Sequence, residues 1–175
     1  MKRPIQLIAK LVPFVILFCF VLSCQQQTKV MVTEEQAKFI GNQYVKARNE
    51  ANLDLLDGIY AADAVIHDPG QPEDIMSLDA LKTYYLGNHT AFPDLKLSLE
   101  EIAISGDRIV WGWTFTGTNT GPLRGLPPTG NKVEFSGVAI DRVVDGKIVE
   151  EWVYYNLLDV FQQLGFTVTP PQGRK

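Results

Sequence analysis

The side chains in this sequence that could carry chemistry fall in three places. His67 and Asp68 stand together at the end of a β-patterned run, Ala64 to Asp68, stopped by Pro69-Gly70. A carboxylate beside an imidazole can orient it and lift its pKa into the working range of an acid/base catalyst. Neighbours on a strand point to opposite faces, so the two need not touch. The competing reading makes His67 a hydrogen-bonded structural histidine and Asp68 the start of an Asp-Pro turn. The second place holds Asp141, Glu150 and Glu151. A two-residue turn at Asp145-Gly146 sets Asp141 opposite Glu150, whereas a three-residue loop shifts the register and sets Glu151 opposite Ala139. Two carboxylates in an enclosed site raise one pKa and create an acid/base group. On an open face they are simply solvated. The third place is aromatic: Trp111, Trp113, Phe115, Trp152, Tyr154 and Tyr155. Such a stripe reads as core and dimer interface, or as an apolar pocket with phenolic hydroxyls for a flat hydrophobic ligand. Trp113, Trp152 and Tyr154 are the candidate pocket residues.

Other chemistries lack their residues. The two histidines, His67 and His89, are far apart and show no metal-ligand spacing, so neither a metal nor another cofactor is expected. His89 sits at a predicted helix end, where a cation suits the helix dipole, and reads as structural. No serine lies in a nucleophile-elbow setting.

The elements that must position these groups follow from periodicity. Thr33-Glu34-Glu35-Gln36 is a capping-box pattern, and a helix should run from it to about Ala51, with Ala37, Ile40, Tyr44, Val45 and Ala47 as its apolar stripe. Leu53 to Tyr60 reads as a second, short helix. Ser77 is the N-cap candidate of a third, ending near Asn88 to Ala91. Strands follow: Leu95 to Ile104, with a bulge near Glu100-Glu101, then Arg108 to Thr118. In the latter, Ile109, Trp111, Trp113 and Phe115 share one side. A connection rich in Gly and Pro covers Gly121 to Gly130, and a hairpin joins Lys132–Val144 to Lys147–Asn156. Leu157 to Leu164 is a terminal helix. Helices first and mostly antiparallel strands after predict an α+β fold with helices on one sheet face.

The 175 residues allow one ordinary domain, and the first 23 do not read as part of it. Lys2 and Arg3 precede an apolar run, Leu11 to Leu22, whose 12 residues fall short of the about 20 that a spanning helix needs. That layout is a signal-peptide core. Val21-Leu22-Ser23-Cys24 then resembles the bacterial lipobox. The resemblance implies cleavage before Cys24, a diacylglyceryl group on its thiol, N-acylation and a place outside the cytoplasm, lipid-anchored at the cell envelope. The division is thus a signal peptide at 1–23, a polar tether at 24–32, the domain at 33–166 and a tail at 167–175. With Cys19 in the signal core and Cys24 acylated, the folded part holds no cysteine for disulfide, nucleophile or zinc. Without residues 1–23 the charge is 13 basic against 20 acidic residues, or −7, which argues against a nucleic-acid surface.

Several short motifs occur in a telling order: Phe92-Pro93-Asp94-Leu95, Gly106-Asp107-Arg108-Ile109-Val110, Trp113-Thr114, Gly117-Thr118, Gly125-Leu126-Pro127-Pro128-Thr129-Gly130, Asp145-Gly146-Lys147-Ile148-Val149-Glu150 and Gln163-Leu164-Gly165. With His67-Asp68-Pro69 they resemble the SnoaL-like polyketide cyclase and ester cyclase branch of the nuclear transport factor 2-like superfamily. The resemblance covers about Glu34 to Gly165. It implies a cone, a strongly curved antiparallel sheet wrapped around N-terminal helices, with a pocket between them and a homodimer paired sheet to sheet. It also implies where catalytic groups of cyclases fall: an acid/base Asp at the position of Val153 and a His near Ala139. The family often has Arg at Gly112, His at Asn119 and His at Glu151. These departures remove polar groups and weaken the case for cyclase chemistry. What is expected is therefore a cone binding a small hydrophobic molecule. Any chemistry there is cofactor-free proton transfer (cyclisation, isomerisation or ester hydrolysis) by His67 with Asp68, Glu151 or Asp141. The alternative is a non-catalytic binding or dimerisation module.

Overall fold

Thr33 starts the first helix as its neighbours predict. Its hydroxyl accepts from Gln36 N at 3.2 Å, and the Gln36 side chain accepts from Thr33 N at 3.0 Å, closing the capping box of α1, Glu34–Asn49. The computed structural model describes residues 31–167 and 169. The signal segment, Cys24, most of the tether and most of the tail lie outside them. A short 3-10 helix, Leu53–Gly58, takes the place of the second helix. Then come β1, Tyr60–His67, and α2, Leu78–Ala91, capped by Ser77. The strands β2, Lys96–Ser105, β3, Arg108–Thr118, β4, Lys132–Val144, and β5, Lys147–Tyr155, precede α3, Leu157–Gln163.

The five strands form one curved, unclosed sheet in the order β1-β5-β4-β3-β2. Four of them make an antiparallel meander, while β1 adds to the β5 edge in parallel. One parallel edge agrees with the expectation of mostly antiparallel strands. Parallel neighbours need a long crossover connection, which α2 and three strands supply here. A bulge in β2 lies between Leu99 and Glu101, where expected. A second register shift lies between Arg142 and Val143 and leaves Val149 of β5 unpaired. Bulges sharpen twist and bend, which helps the sheet wrap the helices.

The inner face carries the core. In β3, Ile109, Trp111, Trp113 and Phe115 are buried, alternating with half-exposed neighbours, as the sequence pattern predicts. Leu56, Ile59, Ile66, Leu81, Ile148 and Leu164 fill the space between sheet and helices. Asn49 ties α1 to β2: its side chain donates to Leu97 O at 2.9 Å and accepts from Leu97 N at 2.7 Å. Val32, assigned to the tether from sequence, is instead buried, and its N–H donates to Gly106 O at 2.9 Å. The packed domain therefore begins before Thr33.

Candidate functional site

Between the inner sheet face and the helices opens a cavity of about 110 Å³. Its middle is aromatic. Phe115 and Phe135 lie 4.9 Å apart, Phe135 and Tyr155 5.4 Å, and Trp113 stands edge-on to both Phe135 and Tyr155 at 5.8 Å. β4 makes room for these rings by pairing Gly137 with Trp113 and Ala139 with Trp111. Flat apolar ligands suit such walls.

Two polar groups of side chains break the apolar lining. The deep one centres on Asp141 and Glu151, partners across the β4–β5 ladder and each only 3% exposed. Glu151 Oε2 accepts from the Tyr60 hydroxyl at 2.7 Å, and Asp141 Oδ2 accepts from Trp111 Nε1 at 2.5 Å. Asp141 Oδ1 is buried with no partner. Burial pushes both carboxyls up. Asp141 is raised well above the carboxylate range, first by desolvation and then by the Glu151 charge, against the lowering hydrogen bond from Trp111. Glu151 is pushed up to about 7 by desolvation, with the Tyr60 hydrogen bond and the Arg48 charge pulling down and Asp68 pushing up. Asp141 thus holds its proton to higher pH than an ordinary carboxyl, and near neutral pH Glu151 exchanges readily between acid and base. Arg48 completes this end: its guanidinium lies 3.6 Å over the Tyr85 ring, beside the Tyr44–Tyr85 hydroxyl pair at 3.0 Å.

The second group sits around Asp68. Its Oδ2 accepts from Tyr84 OH at 3.0 Å, and its Oδ1 accepts from Tyr155 OH at 3.0 Å and Gly70 N at 2.7 Å. Burial raises both tyrosines, and the Asp68 charge adds to it. Asp68 thereby begins a turn and lines the cavity at once.

His67 is elsewhere. Alternation along β1 turns it away from the cavity, onto the outer sheet face. There its Nδ1 pairs with Asp74 at 2.9 Å and its Nε2 with Glu150 at 3.3 Å, and its ring stacks on Trp152 at 5.4 Å. The expected pairing of His67 with Asp68, Glu151 or Asp141 is therefore not formed. Trp152 and Tyr154, both expected in the pocket, share that outer face. Trp152 lies under Arg108, and Tyr154 is 56% exposed. Only Trp113 of the three predicted pocket aromatics lines the cavity. The correction has one cause: residues 150, 152 and 154 alternate with 151, 153 and 155, and the second set faces inward.

The outer cluster gives His67 a measurable role. Burial lowers its pKa, but the bonds to Asp74 and Glu150 outweigh that and raise it above 6.5. Charge stabilisation is therefore complete below 6.5 and lost as pH rises through the raised value. His67→Gln should cost up to ~1 kcal/mol near pH 5 and almost nothing near pH 9. Denaturant titrations at the two pH values check this, and equal costs would remove the ion-pair account. His89, expected as a helix-end cation, has its pKa lowered by burial and then by Arg48, so it is held neutral.

Among the cavity residues not expected from sequence as site residues are Arg48, Tyr60, Tyr84, Tyr85 and Arg124. A signal existed for Arg48, which falls one helical turn after Tyr44 on the stripe that Ile40 begins. Asn119 is buried and fully engaged. Its amide donates to Ala91 O and Gly121 O, and its oxygen accepts from the Thr129 backbone and hydroxyl. It pins the connection before β4 and leaves nothing for a ligand. Val153 and Ala139, where the resemblance puts the acid/base pair of cyclases, face each other across the ladder and line the cavity. The position is kept while the chemistry there is gone. Among the described residues no group of three or more potential metal ligands forms.

The arrangement agrees with what the chain is similar to. The family model for SnoaL-like polyketide cyclase matches residues 39–164. AclR from Streptomyces galilaeus is 29% identical, with a TM-score of 0.67, over 79% of this chain and 87% of that one. IdmH from Streptomyces antibioticus is 28% identical, with a TM-score of 0.65, over 76% and 100%. TsrD from Streptomyces laurentii, at 22% identity and a TM-score of 0.70 over 77% and 98%, shares the fold. No curated protein matches the sequence significantly. With the model match covering most of the domain, this chain belongs to the SnoaL-like polyketide cyclase family.

Proposed function

We propose that the cone takes a small hydrophobic molecule and moves a proton on it without a cofactor, with Glu151 as base and Asp141 as acid. The observation that carries this reading is the buried Asp141–Glu151 pair facing an aromatic cavity. The step is proton transfer at a carbon next to a carbonyl. Glu151 takes the C–H proton, and the carbonyl oxygen accepts the proton of Asp141, giving an enol. Reversal at another carbon isomerises the ligand, and attack of the enol on a second carbonyl closes a ring. Tyr60 holds Glu151 in place, and the aromatic walls exclude water, which strengthens both interactions. The test is deuterium exchange. In D₂O near pH 7 the protein should speed loss of the α-proton signals of 2-tetralone, a flat enolisable ketone, above the buffer rate. Binding without faster exchange would favour a second reading, a non-catalytic ligand-binding module. The apolar Val153–Ala139 pair supports that second reading, because it stands where cyclases are expected to carry their acid/base groups.

The setting is also proposed: a signal peptide over 1–23, a lipid on Cys24 and a domain held at the cell envelope. The layout of Lys2, Arg3, the apolar run and Val21-Leu22-Ser23-Cys24 supports it. Cys24→Ala should abolish incorporation of labelled fatty acid and release the domain from the membrane fraction. Label that persists in the variant would refute the anchor. A homodimer through the outer sheet face is the proposed assembly, supported by the exposure of Val138 and Tyr154 there.

A further inference from the structure

Arg48 presents a charge that the protein leaves uncompensated at close range. The residue is 4% exposed and lines the cavity, and its Nε is buried with no hydrogen-bond partner. Among the described residues it forms no salt bridge within 4.0 Å. A guanidinium cannot shed its proton to escape burial, so an unpaired one is costly unless something else supplies the anion. Its contact with the Tyr85 face, at 3.6 Å, holds the group in one place, with Nε still unpartnered. Planar guanidinium edges suit carboxylates, which they grip with two parallel bonds.

We infer that Arg48 receives the carboxylate of the ligand, so that the cone's occupant is a flat apolar molecule bearing one acidic group. The inference rests on the cone being a ligand site, as proposed above. It narrows the ligand from hydrophobic to amphiphilic and orients it, acid towards α1 and body against Trp113 and Phe135.

Glu151 then regulates the same site. It faces Tyr60 from β1, Asp68 from the turn after β1, Asp141 from β4, Arg48 and Tyr44 from α1 and Tyr85 from α2, while neutral His89 faces Arg48 from the end of α2. Below about 7 Glu151 is neutral, and Arg48 attracts an anion unopposed. Above it, the Glu151 carboxylate offsets Arg48 and repels the ligand's.

The experiment uses the full chain in nanodiscs of zwitterionic lipid, with empty nanodiscs as blank, and calorimetric titration of two probes. One is 2-naphthoate, ionised throughout; the other is 2-naphthalenemethanol, its neutral counterpart. Near pH 6 the carboxylate should bind about tenfold or more tightly than the alcohol. The gap should shrink near pH 8.5, and Arg48→Met should close it at both pH values. Equal binding of the two probes by the unaltered chain, or preference for the alcohol, overturns the inference and leaves the cone as a ligand site. Binding of neither probe overturns both. If Arg48→Met does not fold, the pH dependence of the unaltered chain decides: a gap that does not move between the two pH values counts against the inference.

Discussion

Glu151→Gln should slow α-proton exchange of 2-tetralone by about 10²- to 10⁴-fold, the usual contribution of a positioned general base. The amide keeps the size of the side chain and an oxygen for the Tyr60 hydroxyl, so the cavity should keep its shape. Probe binding should persist, which separates lost chemistry from lost folding. In the unaltered protein the exchange rate should rise with pH to a plateau, with its midpoint near 7, because the base must be ionised. NMR exchange over a pH series reads both. A variant that exchanges as fast as the unaltered protein would remove Glu151 from the mechanism.

The same substitution should change stability in the opposite direction. Burial lifts Glu151 from the ordinary 4.5 to about 7 in the folded state. Between those values the native protein keeps a proton that the unfolded chain has lost, so stability falls as pH rises through that window and levels off above it. At about 1.4 kcal/mol per pKa unit the loss is on the order of 3 kcal/mol near pH 8. Glu151→Gln carries no such charge and should be the more stable protein there, and the gap should close towards pH 4.5. Thermal unfolding at several pH values measures it. An acidic residue that costs stability when ionised is the mark of a site kept for function rather than for packing.

The second large effect belongs to Gly137. A Cβ there would sit 2.3 Å from Trp113 Cζ2 and 2.5 Å from the Tyr154 backbone oxygen. The carbonyl belongs to the neighbouring strand and cannot swing aside, so the indole has to move into the cavity. Gly137→Ala should cost about 2–3 kcal/mol, the upper part of the usual range for overpacking, and should weaken 2-naphthalenemethanol binding through the displaced ring. Denaturant unfolding and the same titration check the two effects. Unchanged stability would mean that the pairing of Gly137 with Trp113 carries little of the wall.

Much of this architecture can be read from local pattern. The capping box at Thr33, the N-cap at Ser77, the two-sided alternation of β3 and the Asp145-Gly146 turn each depend on residues close in sequence. At that turn Asp145 has φ 50° and Gly146 φ 78°, the left-handed pair that a two-residue hairpin turn requires. The family likewise follows from the order of short turn motifs. The residues of the site were present as types: Asp141, Glu151, Asp68 and Trp113 all line the cavity. The lipidation signal at Cys24 and the bounds of the signal segment rest on sequence alone.

Which acids meet was a different matter. A two-residue turn without interruption sets Asp141 opposite Glu150, and that is the turn the hairpin has. Yet Asp141 pairs with Glu151, because Val149 is an extra residue in β5 and moves the ladder by one position. One position in a strand is one face, so the bulge sends Glu151 into the cavity and Glu150 out to His67. The same face rule separated His67 from Asp68 and exchanged Tyr154 for Tyr155. Arg48 was concealed in another way, as a charged residue on an apolar helical stripe, where its meaning depends on whether strands far along the chain supply a counter-ion. Residue types and turn chemistry were enough to specify the cone and its turns. Register and long-range burial, which depend on how distant strands pair, decided which carboxyls face the cavity and set Arg48 in its wall.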